Sequence, residues 1–207
     1  MTLSSRALVK IGIGVLAGVI LAVTRPWTVR PLETQARAAF DPASYVDGAW
    51  PKIIVEANSS AVDTRQAIAD ASTGTSVSSA KARFVRGRGV AVDVDQRSRV
   101  GVLHVRLDGA APVPVVALQI GPVLRGTAVR DAASFVHFTD FANQTDFAAV
   151  ANGLNDCVLT RVLAPIDISA LRGQSVTFIG AMSTSAVADG RAIEVVPLAL
   201  QIDGGRR

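Results

Sequence analysis

The spacing of apolar residues changes twice along this chain, and that change limits the folds open to it. From Ala82 the period is two. Val90, Val92 and Val94 alternate with Ala91, Asp93 and Asp95, and Leu103, Val105 and Leu107 alternate with Val102, His104 and Arg106. With Asp95-Gln-Arg-Ser98 as the turn, this reads as a hairpin with one buried face formed by the two apolar series. A third strand covers Pro114–Ile120 and is broken by Gly121-Pro122; Val123 to Arg130 reads as extended too. The period then becomes helical through Phe147, Val150, Ala151, Leu154, Cys157, Val158 and Val162. Asn143 is placed to cap that helix, Asp146 suits its first turn, and Pro165 stops it. Ser169 to Arg172 reads as one more turn, closed by Gly173. Period two returns in Gln174–Met182 and Arg191–Ile202. These last strands must pair with strands far back in the sequence to bury both faces. A small closed or partly closed barrel with a helical insert fits best.

Before the barrel, Asp41-Pro42 is an N-cap followed by proline at the first helical position, which predicts a short helix to about Trp50. Pro51 is expected to restart the chain, and Ile53–Ala71 is moderately helical. Ser72–Ser79 reads as a polar loop. Hydrophobic residues make up 49% of the chain and aromatics only 5%, so the core must be aliphatic. The expected class is α+β, mostly β. Helical parts are expected at about 41–71 and 143–164 of a domain spanning 41–202, with a disordered tail at 203–207.

The first 24 residues read differently. Arg6 and Lys10 precede an apolar run, Ile11–Thr24, that Arg25-Pro26 ends. A basic start and an unbroken apolar stretch describe a secretory signal or a signal anchor. Leu8 and Val9 lengthen the run towards a membrane span, with the stem of Lys10 reaching to the interface. Leu21-Ala-Val-Thr24 is a poor cleavage site, which favours an uncleaved anchor at residues 8–24 in the inner membrane. The alternative is a cleaved signal and a soluble periplasmic protein. Residues 25–40 read as a tether, with Trp27 as an interfacial anchor.

Charge excludes one class of partner. The net charge is +4, with 21 basic and 17 acidic residues. Without Arg6 and Lys10 there remain 19 basic residues against 17 acidic, or +2. A domain so close to neutral has no basis for binding nucleic acid, and Phe84 and Phe178, the only aromatics on the strands, fall at core positions rather than as stacking platforms.

The stretch Gln119-Ile-Gly-Pro-Val-Leu-Arg-Gly-Thr-Ala-Val-Arg-Asp131 resembles the signature of a bacterial family. So do Phe138-Thr-Asp-Phe-Ala-Asn-Gln144 and Ala151-Asn-Gly-Leu-Asn155. Phe40–Val46 running into Trp50, the Arg97–Val105 strand, and Gly173–Gly180 with Val196-Pro197 match as well. The family is that of the predicted periplasmic lipoproteins, domain of unknown function 2291, and the resemblance spans roughly residues 40–200. It implies an oligonucleotide/oligosaccharide-binding (OB)-like barrel with a helical subdomain. It also implies an extracytoplasmic location and frequent gene neighbourhood with ABC importers of simple sugars, and it implies no activity. One departure stands out. A lipoprotein carries a cysteine at the end of the apolar run, whereas the single cysteine here is Cys157.

No catalytic signature is present: there is no H-E-x-x-H, C-x-x-C, G-x-S-x-G or Walker loop. His104 falls on the outward face of a strand, and His137, between Phe135 and Phe138, reads as a packed histidine. Neither has the partners that a metal site needs, and no cofactor is expected. Cys157 reads as a small buried hydrophobe.

The densest polar cluster is Arg125, Arg130, Asp131, Asn143 and Gln144, with Asp140 and Asn155 nearby. Arg supplies forked donors, and Asn and Gln supply both donor and acceptor, a set suited to a sugar or a partner surface. The same residues also read as structure. Arg125 or Arg130 can pair with Asp131 to join barrel to helical insert, and Asn143 can simply cap its helix.

The expected function is therefore a non-enzymatic envelope accessory protein serving a simple-sugar ABC importer through contact with its subunits. The alternative is a small-ligand module that holds a saccharide between barrel and helices.

Overall fold

The computed structural model of the chain describes residues 40–73, 82–109, 115–184 and 193–203. The expected membrane segment, most of the tether and residues 204–207 lie outside them. By compactness the chain divides into Met1–Ala39 and Phe40–Arg207, and the second unit is the domain considered below.

The domain opens with helix α1, Pro42–Ser60. Asp41 caps it through a side-chain oxygen that accepts from the Ala43 amide at 3.0 Å, and Pro42 occupies the first turn, where its missing N–H is no loss. Pro51 does not restart the chain as expected, because the helix runs through it. Interior proline removes one hydrogen bond and crowds the preceding turn. Here Val46, Ala49, Trp50, Ile53 and Ala57 are buried on both sides of Pro51, and their burial outweighs that loss. The helix instead ends at Ser60. A two-residue strand β1, Val62–Asp63, follows, and then helix α2, Thr64–Thr73. The expected helical stretch over 53–71 is thus divided by a strand too short to give a periodic signal.

Five further strands form the barrel: β2 Ala82–Asp95, β3 Val102–Leu107, β4 Val115–Gln119, β5 Ser175–Ser183 and β6 Glu194–Ile202. The sheet order is β1-β2-β3-β4-β6-β5, and β5 also pairs with β2, which closes the ring. The long β2 serves two neighbours. Ala82–Val90 pairs with β5, and Gly89–Asp95 pairs with β3. Gly89 sits at the changeover, where a Cβ would run into the Arg106 backbone, so only glycine lets the strands approach there. The shortest seam of the ring is the parallel pairing of β4 with β6, Ala117 to Glu194 and Leu118 to Val195. Five antiparallel and parallel strands closed in this order, with helices inserted between β4 and β5, form an OB barrel.

The core is aliphatic as composition requires, with Leu103, Val105, Val116, Leu118, Leu171 and Met182 fully buried. Phe84 and Phe178 are core residues, as their positions predicted. One face was reversed. Val90 is exposed and Ala91 is fully buried, because the register slips between Ala91 and Asp93. Ala91 faces Val105 and Val94 faces Leu103, so three residues of β2 span what two of β3 span. The extra residue, Val92, is a bulge, and the bulge switches which series points inward.

Between β4 and β5 lie helix α3, Ala128–Ala132, and helix α4, Gln144–Cys157, which continues as a π-helical turn over Val158–Leu163. The expected extension of Val123–Arg130 is overturned, since residues 128–130 belong to α3. Asn143 caps α4 as expected, with its side-chain oxygen accepting from the Asp146 amide at 2.9 Å. A 3-10 turn over Ile168–Leu171 precedes Gly173, whose φ of 80° suits glycine. Asp203, expected in the tail, is instead fixed to the barrel. Its amide donates to the Ser175 carbonyl, and its carboxylate takes the Arg88 guanidinium at 2.7 Å.

Candidate functional site

The five residues of the polar cluster do not form one site. Arg130, on α3, is buried. Its Nε and Nη2 donate to a single carboxylate oxygen of Asp131 at 2.8 and 2.6 Å, and its Nη1 donates to the Phe147 carbonyl at 3.0 Å. The guanidinium also lies over the Phe147 ring, 3.5 Å from its centroid. The other Asp131 oxygen accepts from the Thr127 hydroxyl at 2.6 Å. Donors and acceptors are consumed inside the fold, and the pair ties α3 to α4.

Arg125 makes no pair with Asp131. Its guanidinium reaches Glu194, at the start of β6, at 3.1 Å. The buried Gln119 completes this junction. Its Oε1 accepts from the Arg125 amide at 2.7 Å, and its Nε2 donates to Glu194 at 2.8 Å and to the Arg125 carbonyl. Gln119 and Glu194 thereby staple the short parallel β4–β6 seam of the barrel. Sequence reasoning missed both, because no local pattern links residues 75 positions apart.

Asn143 is a cap, and Gln144 beside it is exposed, as expected. Asp140 accepts from the His137 amide and stands 3.7 Å from its imidazole. His137 is exposed rather than packed. The packed rings form a chain of contacts running Phe40–Tyr45–Phe141–Phe147–Phe138. Burial, and then the Asp140 carboxylate, push the Tyr45 hydroxyl above its usual range. Cys157 is buried, and burial raises its thiol pKa as well, against the nearby Arg161 charge.

Among the described residues, two concavities stand out. A shallow groove of about 500 Å³ runs along α1 between Pro51, Val55 and Ser59 and is walled by Phe135. Val55 is 69% exposed there. A smaller pocket of about 240 Å³ lies between α4 and the loop that follows β4, with Asn152, Asn155 and Asp156 on one side and Pro122, Val123 and Leu124 on the other. Neither is lined by Arg125 or Gln144. Among the described residues no three His, Cys, Asp or Glu side chains converge as metal ligands. No described helix is long and apolar enough to cross a membrane.

No curated protein matches the sequence. The crystal structure of an OB-fold protein from Thermotoga maritima matches with a TM-score of 0.59 at 20% identity, over 79% of this chain and 99% of that one. At that identity the likeness speaks to fold alone, and it agrees with the strand order. The family profile matches residues 17–201, nearly the whole sequence. The chain belongs to the predicted periplasmic lipoproteins, domain of unknown function 2291, an envelope-associated family without an assigned activity.

Proposed function

We propose that this protein is a non-enzymatic accessory protein of the envelope that meets a subunit of a simple-sugar ABC importer through the groove on α1. One contrast carries the reading. Arg130, Asp131, Arg125 and Asn143 are all engaged within the fold, whereas the α1 groove leaves Val55 open to solvent beside the partly buried Phe135, with Lys52 and Glu56 at its edge. An uncovered apolar surface rimmed by charge suits a protein partner better than a polar small molecule.

The tether belongs to the same proposal. With no cysteine after the apolar run, lipid cannot attach there, and residues 8–24 themselves would hold the domain to the inner membrane. The test is a pull-down of the tagged full-length chain from detergent-solubilised membranes. Importer permease subunits are expected with the wild type and lost with Val55→Glu, which puts a charge at the centre of the groove. Wild-type protein that brings down no importer subunit ends the proposal.

A further inference from the structure

We infer that the pocket between α4 and the loop after β4 binds a small neutral polyol of monosaccharide size. Its floor is Asn155, which is 5% exposed. The Asn155 Nδ2 donates to the Gly126 carbonyl at 3.1 Å. A carbonyl can only accept, so this bond fixes the amide's orientation and turns Oδ1 the other way. That Oδ1 has no partner among the described residues, and it is not sealed from solvent, since no fully occluded side-chain polar atom there lacks a partner. A nearly buried acceptor therefore keeps access to solvent on a residue that lines the pocket. An acceptor in that position is stabilised by a donor from outside the chain.

The surrounding chemistry narrows the donor. Asp156 adds a carboxylate with no ion pair among the described residues, and Asn152 adds a second amide. Acceptors dominate, so the ligand must present hydrogen-bond donors, and the carboxylate disfavours anions. The opposite wall is Pro122, Val123 and Leu124, with Leu159 beside it: an apolar surface for the C–H face of a ring. A volume of about 240 Å³ admits one small ring and excludes a chain of them.

Two features of the backbone shape this pocket. Gly121, with φ of 78°, lies against Leu159, so that a Cβ there would meet the Leu159 side chain at 2.7 Å. Leu159 belongs to the π-helical turn, where the Ala164 amide donates back to the Leu159 carbonyl at 2.9 Å. Single π turns within α-helices are frequent at functional sites. The two stretches Gln119–Asp131 and Ala151–Asn155, noted in the sequence for their family resemblance, supply the two walls. The pocket shares no residue with the α1 groove. On this inference the saccharide alternative would use this pocket and not the Arg125–Gln144 cluster.

The full-length protein in detergent micelles is titrated with glucose, galactose, ribose and myo-inositol, read by calorimetry and saturation-transfer NMR. Putrescine and inorganic phosphate serve as cationic and anionic probes. At least one polyol is expected to bind saturably with a Kd of about 1 mM or tighter. Val123→Trp, which fills the pocket, and Asp156→Ala, which removes its carboxylate, should each weaken that binding by about tenfold or more. Gln144→Ala should leave it unchanged. Thermal melts establish which variants fold, and either pocket variant suffices alone. Absence of saturable polyol binding, binding indifferent to the pocket variants, or saturation by putrescine or phosphate in place of the polyols overturns the assignment. The importer pull-down is read separately, so neither result decides the other.

Discussion

Arg130 holds Phe147 twice: through a hydrogen bond from Nη1 to its carbonyl at 3.0 Å, and by lying 3.5 Å from the centroid of its ring. The contact fixes α3 against the first half of α4. It works only while the guanidinium charge is balanced, and Asp131 supplies the balance.

Asp131→Ala should therefore destabilise the domain by about 3 kcal/mol, since it strands a largely buried guanidinium and leaves the Thr127 hydroxyl without its acceptor. Replacing both charges, Arg130→Met with Asp131→Ala, should cost less than the single change. Denaturant melts of the three variants measure this. A single variant as stable as the wild type would show that the pair contributes nothing to the fold.

Gln144→Ala should alter stability by no more than about 0.5 kcal/mol, because the side chain is exposed. Its neighbour Asn143 behaves differently. Asn143→Ala removes the bond to the Asp146 amide and should cost about 1 kcal/mol. The same melts compare adjacent residues on one helix end, and equal effects would contradict the capping geometry.

Gly89→Ala should be among the most damaging single substitutions, at about 2–4 kcal/mol. The added methyl meets backbone of β3, which cannot move aside without opening the β2–β3 ladder. Gly126→Ala is the comparison. Nothing lies within 4 Å of its Cβ position, and only the positive φ of 87° opposes it, so the loss should be about 1 kcal/mol. A ranking in the opposite order would mean that the strand junction is looser than described.

The Cys157 thiol should resist iodoacetamide in the native state at neutral pH. Burial raises its pKa, so the reactive thiolate becomes populated only at higher pH than in a free cysteine. Mass spectrometry of labelled protein should show modification after denaturation and little before it. Ready labelling of the native domain would place Cys157 at the surface.

The proposed tether also has a direct test. Alkaline phosphatase fused after Ile202 should be active, and metabolic palmitate labelling should incorporate nothing, since no cysteine follows the apolar run. A silent fusion with a fluorescent cytosolic reporter at the same place would reverse the topology. A mature N-terminus near Ala39 would make the protein soluble and periplasmic instead.

What the sequence determined by itself is local. Hydrophobic period places β3, β5, β6 and α4 close to where they lie, because alternation and helical spacing follow from the geometry of one segment. Asp41 and Asn143 are legible as caps because a cap bonds to amides two or three residues away. The Arg130–Asp131 pair is legible for the same reason, since its partners are adjacent. Tertiary structure decided the rest. Pro51 stays inside α1 because Trp50 and Ile53 are buried by elements that the local sequence does not show. The inward face of β2 depends on a one-residue slip against β3, so Val90 turns out to solvent although its own alternation is regular. Arg125 pairs with Glu194 and not with Asp131 because closing the barrel brings β6 beside β4 across 69 residues of chain. Asn155 becomes an open acceptor only once the loop after β4 folds against α4 and takes one side of its amide. Bonds within a turn are encoded where they form, whereas partners that meet by closing a long loop are selected by the packing of the whole domain, which no single stretch of sequence contains.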